Sequence, residues 1–299
     1  TLPYIMIGAL GTLFLFAVTP VFARRTAVLL GSLRANFWRL LLAVVLLGLW
    51  AHLAGSGTGG SGFGWFFLGG VVGFGLGGVA MFEALPRLGS NLSNLIVQCG
   101  SAVAAAAVEW LWLGTRLSSL QLICVTLTLA GIVIGLLPGS LPRTPSSDWI
   151  AGAGWALLSA FGQGVGAVIS RKAFAVAAAG HQSVDPGTAA YQRVLGGLLV
   201  AAVVFGLALI LRPAAPRPAA GAAWPWVAAN TLSGPVLGVT CLQWALRTTP
   251  AGIVQPIVAA GPLLTIPFAA WLEGSRPRPA YYFGAVLAVA GVAGLLVWH

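Results

Sequence analysis

Long apolar stretches separated by short polar breaks dominate the pattern of this chain. Each is about 20 residues long, the length that an α-helix needs to cross the ~30 Å hydrocarbon core of a bilayer. None shows the alternation of apolar and polar residues that is typical of a membrane β-strand. Membrane-spanning helices are therefore predicted at 2–23, 33–53, 63–85, 89–113, 118–138, 149–171, 187–211, 224–246, 250–272 and 277–298.

The composition supports a surface that faces lipid. Hydrophobic residues make up 59% of the 299 residues and charged residues only 7%, whereas a soluble domain carries about 25% charged residues. The 15 Lys and Arg and 5 Asp and Glu cannot cover the exterior of a soluble protein of this size. The predicted fold class is an all-α integral membrane protein.

The formal charge of +10 does not indicate a nucleic-acid partner, because the basic residues stand singly or in pairs between apolar runs. Cys99, Cys124 and Cys241 lie inside apolar runs without metal-ligand spacing, so no disulfide, metal or cofactor is predicted. Three His and five acidic residues form no recognisable catalytic set, so we expect no enzyme. The first apolar run lacks a cleavage site, which predicts no removable signal peptide, and the initial Thr indicates a few preceding residues.

The chain contains an internal repeat. Residues 84–87 (Ala-Leu-Pro-Arg) precede a helix that reaches Gly100, and residues 245–248 (Ala-Leu-Arg-Thr) precede one that reaches Gly261. The offset is 245 − 84 = 161 at the start and 261 − 100 = 161 at the end. The repeat predicts two five-helix copies, in residues 1–140 and 146–299.

Five helices per copy is an odd number, so the second copy must enter the membrane from the side opposite to the first. The predicted architecture is therefore ten transmembrane helices in two inverted five-helix repeats, with both termini on the same side. Such an arrangement places a cavity between the copies near the middle of the membrane.

These residues together resemble the EamA type of the drug/metabolite transporter superfamily over nearly the whole chain. The family pattern has a helix ending in Ala-Leu, a short basic turn, a helix with a mid-span Gly-Pro, and then an acidic residue. Gly261, Pro262 and Glu273 fit this pattern, whereas Ser101 and Thr115 replace the proline and the acid in the first copy. The resemblance implies a multi-pass permease of the plasma membrane, the inner membrane of a bacterium, with a central pocket.

Polar side chains within the predicted helices are the candidate pocket residues, because they are costly in lipid and usually face the bundle interior. Asn94 and Gln98 lie one turn apart, and Gln255 is equivalent to Asn94, since 94 + 161 = 255. Amides facing each other across a pseudo-twofold axis would suit a polar or zwitterionic ligand. Hydrogen bonding between helices is the alternative role for these amides. The other substrate-binding candidates are Gln163, Trp155 and Asn230.

Two acidic residues lie within predicted helices outside the turn between the ninth and tenth. Glu83 precedes Arg87 by four residues, which favours an ion pair at a helix end. Glu109 is the candidate for proton coupling, because a carboxyl group in a low-dielectric setting is easily protonated. The alternative for Glu109 is a helix-end anchor that pairs with Arg116.

The basic residues give a mixed prediction of orientation. Ten Lys and Arg lie on the side opposite the termini and five on the terminal side, so the positive-inside rule places the termini outside. The resemblance instead implies cytoplasmic termini. Arg39 and Arg193 occupy equivalent positions, and we interpret them as anchors that extend to the headgroups.

The function hypothesis is a secondary transporter that exports amino acids or similar small amphipathic metabolites by alternating access at a pocket between the repeats. The alternative is a flippase, or a carrier for a lipid-linked or organic-anion, nucleotide-sugar-like substrate. An organic-anion carrier requires Lys or Arg deep in several helices. The expected partners are a small-molecule substrate and membrane lipid, and the expected state is a monomer or homodimer.

Overall fold

Every regular element of the computed structural model is helical in residues 2–137, 146–211, 223–264 and 278–298, which are the residues that the structure describes. Three π-helical segments join α3 to α4, extend α4, and join α8 to α9: Val71–Leu76, Glu109–Leu113 and Leu232–Val236. The α-helices are α1 (Leu2–Leu30), α2 (Ser32–Leu53), α3 (Phe63–Gly70), α4 (Gly77–Val108), α5 (Ser119–Leu136), α6 (Ser146–Ala179), α7 (Pro186–Leu211), α8 (Trp224–Thr231), α9 (Leu237–Thr248), α10 (Ala251–Ala259) and α11 (Pro279–Val297).

Eight helical stretches within the described ranges are long and apolar enough to cross a membrane. Leu199, Val203 and Leu207 of α7 are each 52% exposed, and their spacing of four places them on one face. An apolar face of that kind belongs against lipid, so the prediction of a multi-pass, all-helical membrane protein is confirmed. The predicted eighth span corresponds to α8 and α9, and the predicted ninth, 250–272, continues past Leu264 beyond the described residues.

The third and fourth predicted spans are separated by a reversal of the chain inside α4. Gly77 and Gly100 lie at the two sides of this reversal, yet they pack against adjacent residues of α6, Gly77 against Ser159 and Gly100 against Ala160. A straight helix would separate the two glycines by about 35 Å, since each residue adds about 1.5 Å. The chain must therefore turn back between them, as the predicted boundary near residue 89 requires.

Contacts between the two predicted halves recur with the halves exchanged. Gly100 packs against Ala160, and Gly261 packs against Leu13. The two contacts are equivalent in the repeat, because Gly261 corresponds to Gly100 (261 − 100 = 161) and Ala160 corresponds to Leu13 (160 − 13 = 147). In the same way α2 packs on its counterpart α7, and α5 packs on α11. This pairing is what a pseudo-twofold axis in the membrane plane produces.

Two of the π-helical segments occupy equivalent positions in the repeat. Val71–Leu76 and Leu232–Val236 begin at residues that differ by 232 − 71 = 161. Pro235 lies inside the second segment and cannot donate a backbone hydrogen bond, which favours a local departure from α-helical geometry. The first segment contains the glycines Gly73 and Gly75 in place of a proline. Single-turn π-helices of this kind are frequent at functional sites.

One face of the bundle holds both ends of the described chain. It is formed by the connections at 113–118, 179–185 and 248–250, and the first turns of α1 pack against the end of α9. Gln121, at the start of α5, donates from Nε2 to the backbone oxygen of Trp298 at 3.0 Å. We call this side the terminal face and the other side the opposite face.

Candidate functional site

A buried carboxylate lies near the terminal face. Glu109 opens the π-helical segment that extends α4, and it is only 2% exposed. Its Oε1 accepts a hydrogen bond from Nε of Arg171 at 3.3 Å, and its Oε2 accepts one from the backbone N–H of Gly252 at 2.9 Å. Gly252 lies in the first turn of α10, where the helix dipole favours a negative charge. The carboxyl group of Glu109 therefore has two complementary partners.

Arg171 connects this carboxylate to a fourth helix. Its Nη1 donates to the backbone oxygen of Leu246 in α9 at 3.1 Å. The cluster consequently joins α4, α6, α9 and α10 at the terminal face. Removing one partner of a buried ion pair typically costs about 3–5 kcal/mol, because the other charge is left uncompensated. Of the two interpretations of Glu109, the ion-pair anchor matches this geometry, although the partner is Arg171 and not Arg116.

A cavity of about 670 Å³ opens beside this cluster at the terminal face. Its polar wall includes four side chains that carry or can carry a positive charge, namely Arg171, Lys172, His181 and Arg247. Apolar residues of α6, among them Phe174, form part of the remaining wall. None of the predicted substrate-binding residues lines this cavity.

Three of the predicted amides lie on helices that pack together in the membrane interior. Gln98 is half-buried on α4, one turn before Ser101, whose backbone oxygen packs against Gly164 of α6. Gln163 is half-buried on α6, and its Nε2 lies 3.4 Å from Oγ of Ser159. Gln255 is 6% exposed on α10, which packs against α4 with Gly252 beside Ala106. These three amides therefore lie on helices that pack against one another.

The other predicted binding residues lie in different surroundings. Asn94 is half-buried in the turns that follow the reversal of α4, towards the opposite face. Trp155 is 36% exposed on α6. Asn230 is 2% exposed on α8, where its neighbour Thr231 donates to the backbone oxygen of Arg39. Asn230 Oδ1 is buried without a hydrogen-bond partner among the described residues.

The sequence reasoning missed a polar pair in the interior. Gln243 is fully buried on α9, and its Nε2 donates to Oγ of Ser170 on α6 at 3.2 Å, while its Oε1 has no partner among the described residues. An intramembrane Gln within the predicted eighth span was the available signal. Its position on the helix face toward α6 could not be read from one sequence.

The arginine interpretation was wrong for Arg193. Its side chain is only 3% exposed and does not extend outward, since the guanidinium lies over the ring of Phe74, 5.1 Å from the centroid. Nε and Nη1 are buried without partners among the described residues. Glu83 and Arg87 form the predicted helix-end pair at 2.8 Å. In the described ranges, no three His, Cys, Asp or Glu side chains come together as metal ligands.

Comparison with known proteins identifies the family and the fold to which this architecture is similar. The model of the EamA-like transporter family matches residues 3–137 and 150–297, which are the two halves of the chain. Solved structures include 29 matching chains. One, described only as "Crystal structure of protein", superimposes with a TM-score of 0.75 at 18% identity, covering 97% of this chain and 95% of that chain. At that identity the likeness shows the fold alone. No curated protein sequence gave a significant match.

Proposed function

Since this chain belongs to the EamA-like transporter family, we propose that it exports amino acids or similar small amphipathic metabolites by alternating access. The family consists of membrane transporters of small molecules, and we expect no enzymatic activity. In the proposal, the two halves rock about the pseudo-twofold axis, and the substrate binds between them. The membrane would be the bacterial inner membrane, with cytoplasmic termini.

The observation that supports the proposal is that three of the predicted amides lie on helices that pack against one another. Gln98, Gln163 and Gln255 lie on α4, α6 and α10, of which α4 and α10 are equivalent helices in the repeat. An amide both donates and accepts hydrogen bonds, so it can bind the carboxylate and the ammonium group of a zwitterion. Because amide side chains are costly to expose to lipid, their presence within the spans supports a pocket in which they bind a polar ligand.

The ion pair at the terminal face supplies a closure that alternating access requires. Glu109 and Arg171 hold the ends of four helices together at this face, and in the proposal this keeps the transport path closed on that side. The residues equivalent to Glu109 in the second half are apolar, at Pro267 (109 + 158) or Ala270 (109 + 161). The terminal face would open only when the pair separates or exchanges partners.

Flux through reconstituted protein tests the proposal. Purified protein in liposomes should move a labelled amino acid, and Gln98→Leu and Gln255→Leu should each slow that flux by about tenfold, the loss expected for one hydrogen bond to a charged group. Gln121→Leu is the matched control, because Gln121 lies at the exposed start of α5. Its flux should stay within about twofold of the unchanged protein.

Two results would count against these assignments. Unchanged flux in both pocket variants, with equal amounts of folded protein, would reject the pocket. Transport of an organic phosphate or of a lipid by a protein that moves no amino acid would reject the substrate class.

The organic-anion alternative has one observation in its favour. Arg193 places a positive charge about two turns into α7 with Nε and Nη1 unpaired among the described residues. The sequence argument against this alternative was the lack of a deep basic residue, and Arg193 weakens it. Competition of labelled amino-acid uptake by dicarboxylates and organic phosphates distinguishes the two substrate classes.

A further inference from the structure

The cavity at the terminal face has a strongly one-sided charge. Arg171, Lys172, His181 and Arg247 line it, and no acidic residue does. Its volume of about 670 Å³ lies in the range of small-molecule sites, about 300–1,000 Å³. Phe174 and other apolar side chains share the rest of the wall with uncharged polar residues such as Gln182 and Ser183. A cavity with these walls suits a ligand that has an anionic group and an organic body.

The nearest acidic residues on the same face are already occupied. Glu109 accepts from Arg171 and from the Gly252 N–H, so it compensates Arg171 alone. Asp185 follows the cavity residue Val184, but its carboxylate accepts hydrogen bonds from Thr188 and Trp50. Among the described residues, Lys172 and Arg247 have no ion-pair partner. The charge in the cavity is therefore available to a ligand.

Anchoring to lipid headgroups is the ordinary role of basic residues at helix ends. An anchor needs only to lie near the membrane surface, whereas these residues converge on one concave site from the end of α6 and the end of α9. Arg116 illustrates the difference, because it is exposed on the same face and does not line the cavity. The shared cavity indicates binding of a discrete group.

We propose that this cavity is a binding site for a carboxylate or phosphate group of an organic anion, which Lys172 and Arg247 contact directly. Arg171 lies between the cavity and Glu109, so an anion bound there competes with Glu109 for the Arg171 guanidinium. The inference goes beyond the proposed transport of amino acids and does not depend on it, since it concerns binding at one face. The anion can come from a soluble metabolite or from a lipid headgroup.

Binding to the whole protein in nanodiscs tests this site. Pyrophosphate is the soluble probe, titrated at constant ionic strength into protein in phosphatidylcholine nanodiscs while thermal stability is followed. The double variant Lys172→Gln/Arg247→Gln should weaken its apparent affinity by about tenfold or more, because each lost charge removes a charge-assisted hydrogen bond. Arg116→Gln removes the same charge from the same face and should change affinity by less than about twofold.

A second arm identifies the source of the anion. Native mass spectrometry of protein from mixed phosphatidylglycerol and phosphatidylcholine membranes measures retained anionic lipid. Selective loss of phosphatidylglycerol in the double variant, without saturable pyrophosphate binding, would assign the site to a lipid headgroup. If Arg116→Gln and the double variant weaken both ligands equally, the effect is general surface charge and the proposal is wrong. Circular dichroism and size-exclusion chromatography establish that each variant is folded, and this binding test stands apart from any flux result.

Discussion

The π-helical segment of the first half and its counterpart in the second half lie in equivalent surroundings that are filled by different side chains. Beside the first segment, Gly70 packs directly against the backbone oxygen of Arg193. At the equivalent position, 70 + 161 = 231, the hydroxyl of Thr231 donates to the backbone oxygen of Arg39 at 3.3 Å. Backbones touch directly in the first half, whereas a side chain mediates the same contact in the second.

The two arginines differ in the same way. Arg39 donates from Nη2 to Oδ1 of Asn36 at 2.8 Å. The residue equivalent to Asn36 is Ala190 (36 + 154 = 190), so Arg193 has no such amide, and its Nη2 instead lies in the space beside Gly73. The backbone and the arginines keep the twofold relation, and the hydrogen-bond partners of the guanidinium groups do not. A buried cation is costly at both positions, and Nε of Arg39 is also without a partner among the described residues, so the two sites differ in the amide that only Arg39 contacts.

The largest expected effect comes from placing a side chain where the first half has none. Gly70→Ala adds a Cβ that collides with the backbone oxygen of Arg193, and backbone cannot yield as a side chain can. We expect a loss of about 3 kcal/mol or more in unfolding free energy, or no folded protein. Gly64→Ala in the same helix meets open space and should change stability by less than about 1 kcal/mol.

Denaturation in mixed micelles measures this difference, with Thr231→Gly as the reciprocal change. Thr231→Gly removes one hydrogen bond to a backbone oxygen and should cost about 1–2 kcal/mol. Equal losses for Gly70→Ala and Gly64→Ala would show that the close approach of α3 and α7 is not needed. The distinction between the two π-helical regions would then disappear.

Replacing each arginine by methionine should change stability by an intermediate amount, and the two changes should have opposite signs. Arg193→Met removes a buried charge whose Nε and Nη1 have no partner among the described residues, so stability should stay constant or rise by about 1–2 kcal/mol. Arg39→Met leaves Oδ1 of Asn36 without its donor and should cost about 1 kcal/mol. If Arg193 serves the substrate, flux should fall in Arg193→Met although stability does not. Equal destabilisation by both changes would contradict the proposed difference.

The sequence was sufficient for the parts of the fold that follow from hydrophobic length and repetition. The spans and the reversal near residue 89 could be predicted by counting residues, because the bilayer thickness imposes one helix length. The equivalence of Gly100 and Gly261 could be predicted from the repeat offset. The ion pair of Glu83 with Arg87 followed from helical spacing. These features depend on residues that are near one another in the chain or related by the repeat.

The partners of the buried polar residues could not be predicted in the same way. The alternative to proton coupling for Glu109 was a pair with Arg116, seven residues away, and the carboxylate instead pairs with Arg171 because α4 and α6 converge at the terminal face. Arg193 was expected to extend to the headgroups, and it turns inward because glycines on neighbouring helices leave room for it. Both outcomes depend on packing between helices, which no offset in the sequence encodes. The positions of Gln98 and Gln255 in a common pocket stay a prediction.

The smallest expected effect concerns how the helices that carry these arginines begin. Asp185 precedes α7 and Gly31 precedes α2, at the offset 185 − 31 = 154. The Asp185 carboxylate accepts from the Thr188 backbone N–H at 3.0 Å and from Nε1 of Trp50 at 3.0 Å, whereas Gly31 has no side chain with which to cap α2. Partial burial alone would raise the pKa of Asp185, but these hydrogen bonds outweigh it and hold the pKa below its ordinary value.

A lowered folded-state pKa makes this cap sensitive to acid in one direction. Its stabilisation is complete above the unfolded-state pKa of about 3.9, and it is lost as the pH falls through the lower folded-state value. Asp185→Asn keeps an acceptor for the Thr188 N–H but cannot titrate, so the stability gap between the two proteins should be about 1 kcal/mol at pH 7 and should close in acid. A gap that stays constant from neutral pH into this acid range would mean that the carboxylate charge contributes nothing. In that case the start of α7 would be held, like that of α2, by backbone and packing alone.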